Sequence, residues 1–142
     1  MQYDRFPCAG SWKDTADALM AAGQAEGMIP TDRESLTGEE EVIIARQLTH
    51  DGYINAGIAV FYLPENYDGL WLDILYVKPE YRRRGIGRVL VSLVRQVAID
   101  AGHDQFGLGT MLHNAPMLAL ARSAGFAKGA VYFDQPLPEA RS

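Results

Sequence analysis

The spacing of apolar residues changes along the chain, and each change marks a different kind of element. The first 41 residues read as helical, with Asp14 as N-cap of a helix through Ala22 that ends near Gly23. Behind Pro30, Thr31 and Glu34 have the spacing of a capping box, although the run that follows is too short to define a long helix. From Val42 the pattern is that of strands. Stretches 42–48, 54–63 and 70–77 are rich in β-branched and aromatic residues, and Asp51-Gly52 and Asp68-Gly69 punctuate them. They predict three antiparallel strands joined by hairpins. Ile86, Val89, Leu90, Leu93, Val94, Val97 and Ala98 then form one continuous stripe at helical spacing, stopped at Gly102. A short strand over 106–111, parallel to 70–77, completes a crossover. A helix over 116–124 follows, with Pro116 in its first turn and Gly125 as its stop, and then a last strand over 130–133. The order predicts an α/β fold, a mixed sheet with helices packed on it.

Composition narrows the class. A chain of 142 residues, 48% hydrophobic, suits one domain over 1–142 with a core that needs no covalent staples. Its single cysteine excludes a disulfide framework and a multi-thiolate zinc site, and His50, His103 and His113 lack metal-ligand spacing, so no metal is expected. No apolar run approaches the roughly 18 residues of a membrane span, and the N-terminus has no signal-peptide pattern. The expectation is a soluble cytoplasmic domain with no membrane partner. Charge changes the picture more. The net charge is −5, yet Lys78, Arg82, Arg83, Arg84 and Arg88 against Glu80 give residues 78–88 a local +4, leaving −9 elsewhere. A long polyanion would be repelled beyond that stretch, which argues against nucleic acid; a compact anion would not.

The stretch has the chemistry for such an anion. A strand ends at Val77, a basic loop follows, and Gly85 and Gly87 open the striped helix. A helix start offers unpaired N–H groups and the positive end of its dipole, glycines let a phosphate approach them, and arginines add directional donors. A P-loop needs a Gly-Lys pair that is absent, and the dinucleotide fingerprint needs a third glycine where Leu90 stands. The segment instead resembles the acetyl-coenzyme A motif of the GNAT superfamily of N-acetyltransferases, Arg/Gln-x-x-Gly-x-Gly/Ala, matched by Arg82, Gly85 and Gly87 after Val77-Lys78-Pro79. Asn114 and the Gly125-Phe126 pair are similar to that family's downstream Asn…Gly-Phe segment. The resemblance covers about residues 70–133 most strongly.

It implies a GNAT-like mixed sheet of about six strands with helices on both faces. It also implies transfer of an acetyl group from acetyl-CoA to a primary amine of an unidentified acceptor, by direct attack in a ternary complex. Carried over by position, Leu75, Tyr76 and Val77 face pantetheine. Arg82, Arg83, Arg84, Gly85, Ile86, Gly87 and Arg88 hold the pyrophosphate, and Asn114 contacts the pantetheine side or the next helix turn. Homodimers are frequent among the proteins it resembles, but nothing in the sequence marks an interface.

One position departs from the family. Where a tyrosine commonly protonates the departing thiolate stands Ala121, leaving Ser123 and Tyr132 as substitutes, or a thiolate that departs without a side-chain acid. A non-catalytic acyl-CoA-binding domain is the alternative. For the general base the candidate is Asp73, a lone acid in an otherwise apolar strand, which is either paired or catalytic and which by strict alternation shares a face with Leu75 and Val77. Gly107 and Gly109 alternate along their strand and clear one face, for the pantetheine arm, for substrate, or for packing. Trp12 and Trp71 line a cleft or pack the core. The acidic residues Glu39 to Glu41, Glu65 and Asp68 lean toward a cationic amine.

Overall fold

A computed structural model describes residues 1–109 and 115–126. In chain order they form β1 (Gln2–Pro7), α1 (Ser11–Ala25), β2 (Glu41–Thr49), β3 (Gly52–Tyr62), β4 (Leu70–Val77), a 3₁₀ turn (Pro79–Tyr81), α2 (Ile86–Asp100), β5 (Phe106–Leu108) and α3 (Ala115–Ser123). The sheet order is β1-β2-β3-β4-β5, antiparallel except for the parallel β4–β5 pair. The meander, the crossover and the two later helices are those the apolar pattern predicts. The strand predicted over 130–133 lies outside the described residues.

The N-terminal third differs from its sequence reading. Instead of helix, the chain opens with β1, an edge strand on β2 whose Arg5 forks onto Glu41 at 2.9 and 3.0 Å and whose Asp4 accepts from Arg46 at 3.1 Å. Charged positions on alternate residues obscure its apolar pattern while protecting the edge. The helix begins at Ser11, three residues before Asp14, with Gly10 as its cap. Tertiary contact extends it: Trp12 stacks on Phe6 at 3.6 Å between ring centres, and Arg46 lies 5.5 Å over the same indole. Asp14 falls in the first turn, where a negative charge complements the dipole. No helix follows Pro30. Residues 30–39 run as a loop fastened by buried Glu40, which accepts hydrogen bonds from Thr37 N–H at 2.7 Å, Thr37 Oγ1 at 2.9 Å and Gly38 N–H at 3.0 Å.

Two clusters sandwich the sheet. On one face Leu19 and Met20 of α1 pack with Val42, Ile44, Ile58, Ile74 and Tyr76; on the other, Leu90, Val91 and Val94 of α2 pack with Ile43, Ala59, Phe61, Leu70 and Leu72. The α2 stripe is rotated slightly from its predicted centre, burying Val91 and leaving Val89 39% exposed. β4 contributes to both clusters because Val60 pairs with Ile74 but Phe61 with Leu72. Asp73 is therefore the extra residue of a β-bulge, which inverts the alternation. The expectation that Asp73 shares a face with Leu75 and Val77 is corrected by this: Leu75 and Val77 pack on the α2 side, and Asp73 reaches the segment after α1.

Candidate active site

The bulge sits where β4 and β5 part. β5 pairs with β4 only from Leu70 to Leu72, whereas β3 follows β4 to Val77. Among the described residues, the β4 edge beyond Leu72 has no strand partner. Such an edge offers a row of N–H and C=O groups to any extended chain laid along it. Leu75 and Val77 flank this opening, and Leu120 of α3 faces them across Gly87: a Cβ built on Gly87 would lie 3.4 Å from Leu120 and 3.9 Å from each of the other two. Tyr76 points the opposite way, into the α1 cluster, so only its backbone belongs to the edge.

The open edge runs directly into the basic loop. Lys78 N–H closes on Ala56 O at 2.9 Å, the 3₁₀ turn follows, and Arg83 (φ 62°) and Gly85 (φ 77°) take left-handed conformations before α2 begins at Ile86. Among the described residues no side chain caps that helix, so no side-chain acceptor takes up its first-turn N–H groups beside Gly87. Gly85 is required by its backbone rather than by crowding, since a Cβ there would meet nothing within 4 Å. Arg83 is exposed, Arg84 donates to Glu80 O at 3.2 Å over the Tyr81 ring, and Arg88 donates to Ser123 Oγ at 3.4 Å. Arg82 is engaged elsewhere: its Nε donates to Val77 O at 2.9 Å and its guanidinium to Glu26 at 2.6 Å. The loop thus brings together all the predicted anion-binding positions, with Arg82 committed to protein partners. Asn114 lies outside the described residues.

Asp73 stands at the other end of the opening, 11% exposed and paired with Arg33. Burial pushes its carboxyl above the ordinary carboxylate value, and the Arg33 guanidinium only partly offsets this. The pair, with Pro30, forms the wall between two cavities. One, of about 340 Å³, lies along β4 and is lined by Trp71, Leu75, Gly109 and Met117; the other, of about 560 Å³, is lined by Asp32, Glu34, Glu39, Tyr62 and Glu65. The sequence presents Asp73 as paired or catalytic; the structure pairs it and places it on the cavity wall. Arg33, its partner, carries no motif and was not singled out by sequence reasoning, because 40 residues separate the two.

The face cleared by Gly107 and Gly109 is filled by an indole. A Cβ on Gly107 would sit 2.7 Å from both Trp71 Cζ3 and Tyr67 Oη, and one on Gly109 would sit 3.4 Å from Trp71 Cζ2. Of the readings open from sequence, packing is the one observed, and it seats Trp71 on the cavity wall. In α3, Ala121 offers no acid and Ser123 Oγ donates to Leu120 O at 2.9 Å; Tyr132 lies outside the described residues. Among the described residues no cluster of His, Cys, Asp or Glu suits a metal ion, and no helix is long and apolar enough to cross a membrane.

The fold is a mixed α/β sheet whose one parallel strand pair parts beside a glycine-bearing helix start. Comparison makes the class specific. Residues 11–126 match the acetyltransferase (GNAT) family, and the chain belongs to it. An aminoglycoside N(6')-acetyltransferase type 1 of Stenotrophomonas maltophilia is 29% identical over 138 residues, covering 90% of this chain and 82% of that protein. Thialysine N-epsilon-acetyltransferase of Sus scrofa is 39% identical over 56 residues, 39% of this chain; the match spans about a third (33%) of that relative. Among solved structures, an aminoglycoside N-acetyltransferase, AAC(6')-Iy in complex with CoA, superposes with TM-score 0.62 at 16% identity, covering 96% of this chain and all (100%) of that one. An aminoglycoside acetyltransferase from an uncultured soil metagenomic sample, in complex with sisomicin, gives 0.68 at 18% identity, with 96% of each chain covered. These likenesses establish the GNAT fold over the whole described sheet.

Proposed function

We propose that the protein transfers the acetyl group of acetyl-CoA to a primary amine in a ternary complex. The observation that carries this reading is the open edge of β4 running into the α2 start. An extended amide-bearing arm would pair with Leu75, Tyr76 and Val77 as an added strand does. Its pyrophosphate would then meet the N–H groups of Gly85 through Arg88, with Arg83, Arg84 and Arg88 supplying charge. Family membership and a CoA-bound neighbour of the same fold support the same assignment.

In the transfer the acceptor nitrogen attacks the thioester carbonyl; the N–C bond forms, the C–S bond breaks, and the thiolate departs with a proton from solvent or a nearby hydroxyl. A backbone N–H on the β4 edge stabilises the developing oxyanion. Asp73, directly or through water, takes the amine proton. Its elevated pKa brings it closer to working pH, which improves a carboxylate as base. Asp32, Glu34, Glu39 and Glu65 around the larger cavity favour a cationic acceptor, consistent with the amine substrates named for its relatives. On this reading the enzyme works in the cytoplasm without a metal, on a small-molecule, peptide or protein amine rather than on nucleic acid or at a membrane, and as a monomer or homodimer.

Ala121 supports a second reading, a CoA-binding domain without transfer. Isothermal titration with acetyl-CoA, followed by thiol release across a panel of polyamines, lysine analogues and aminoglycosides, tests both. Transfer predicts micromolar binding and amine-dependent thiol release. Binding with no release on any amine favours the second reading, and absence of binding refutes both.

A further inference from the structure

The family motif begins at Arg82, yet this arginine is held by the protein from three sides. Nε donates to the carbonyl of Val77, the last residue of β4; Nη2 donates to Glu26 at 2.6 Å; and the guanidinium lies 5.7 Å over the Tyr76 ring. Glu26 is the C-cap of α1, and its other carboxylate oxygen accepts a hydrogen bond from the Tyr76 hydroxyl. Three elements therefore meet at one carboxylate: the end of α1, the end of β4 and the loop that starts α2. With its charge matched by Glu26, Arg82 commits Nε to the strand exit and Nη2 to the end of α1.

We propose that Glu26 and Arg82, backed by Tyr76, are positioning residues that hold the α2 loop in its pyrophosphate-binding shape, and that Arg82 is not itself a phosphate ligand. This rests on the CoA assignment made above. Without the contact to Val77 O, the chain between β4 and the left-handed residues Arg83 and Gly85 loses a side-chain hydrogen bond to the end of the strand. Glu26 also joins this loop to the cleft, because the chain leaving α1 passes within a few residues to Met28, Ile29, Pro30 and Arg33 on the cavity wall beside Asp73. Loop and cleft are thereby anchored at a common point.

The sign of one substitution separates this from direct phosphate binding. Glu26→Gln removes a negative charge near a basic loop, so simple electrostatics, or release of Arg82 to a phosphate, would tighten CoA binding. Positioning predicts the opposite: CoA affinity falls about three- to tenfold, the scale of one net hydrogen bond, and most plainly at high salt, where long-range attraction is screened. A second pair of variants works independently. Arg82→Gln loses the charge but keeps a directional donor, whereas Arg82→Lys keeps the charge and loses the fork. Titration with CoA should find Arg82→Gln the better binder, with melting temperatures recorded for every variant to identify any that fail to fold. Tighter or unchanged binding in Glu26→Gln overturns the proposal, as does a lysine variant that binds CoA better than the glutamine one. Failure of the unmodified protein to bind CoA refutes the cofactor assignment itself, a distinct outcome.

Discussion

Gly85→Ala tests the proposed cofactor loop in a way that can be followed thermodynamically. Gly85 has φ 77° and ψ 9°, and a Cβ there meets nothing within 4 Å, so the methyl group neither clashes nor gains packing. What remains is the cost of a left-handed L-residue, about 1–2 kcal/mol. If the free loop keeps its shape, that cost appears as lost stability, at roughly 4 °C in Tm per kcal/mol for a domain of this size. If the free loop relaxes, stability is spared and CoA must restore the shape, so affinity falls about five- to thirtyfold. The two losses together equal the strain, whichever way they divide. Saturated with CoA, the alanine variant should therefore be less stable than saturated wild type by about 1–2 kcal/mol. Thermal unfolding with and without CoA, combined with titration calorimetry, measures both parts. Gly85→Asn, whose side chain tolerates left-handed backbone, should recover much of the loss. Equal stability of the saturated alanine variant and saturated wild type would refute the argument, since neither the backbone nor the ligand would then need glycine.

Gly107→Ala forces a methyl group to 2.7 Å from the Trp71 ring and the Tyr67 hydroxyl, so it should cost about 1–3 kcal/mol and shift tryptophan emission; an unchanged Tm and spectrum would contradict the packing. Arg33→Gln removes the cation that partly offsets the burial of Asp73, so the acid limb of the rate profile should move to higher pH, and a limb that stays put would exclude Asp73 as the base. In stability the signs oppose. The raised pKa of Asp73 makes it favour folding at acid pH and lose that contribution as pH rises past its folded value. Burial raises the pKa of Glu40, but its hydrogen bonds from Thr37 and Gly38 outweigh this and hold the carboxyl below the ordinary range, so its contribution is present above about pH 4.3 and fades as pH falls through its folded value. Glu40→Gln should therefore lower stability at neutral pH by about 1.5–3 kcal/mol and flatten the acid unfolding curve; parallel curves for variant and wild type would overturn this.

The meander, the crossover and the α2 start were legible in the sequence because each is specified locally. Alternating β-branched residues form 42–48, 54–63 and 70–77 wherever one face can be buried, and the stripe from Ile86 to Ala98 makes a helix against any apolar surface. The loop geometry was legible for the same reason: Gly85 and Gly87 mark a glycine-bearing helix start directly after a strand exit. β1 was not legible, since an edge strand protected by Asp4 and Arg5 has its partners Glu41 and Arg46 more than thirty residues away. Nor was the inverted alternation of β4, because a bulge is a property of pairing with β3 and not of either strand. The partners of the motif's own residues were set the same way. Sequence alone determined that a glycine-bearing loop follows a strand exit and carries a cluster of arginines. Only the tertiary structure decided that Arg82 belongs to Glu26 and Asp73 to Arg33, because a charged side chain pairs with whatever folding brings within reach, and the order of the chain does not record that distance.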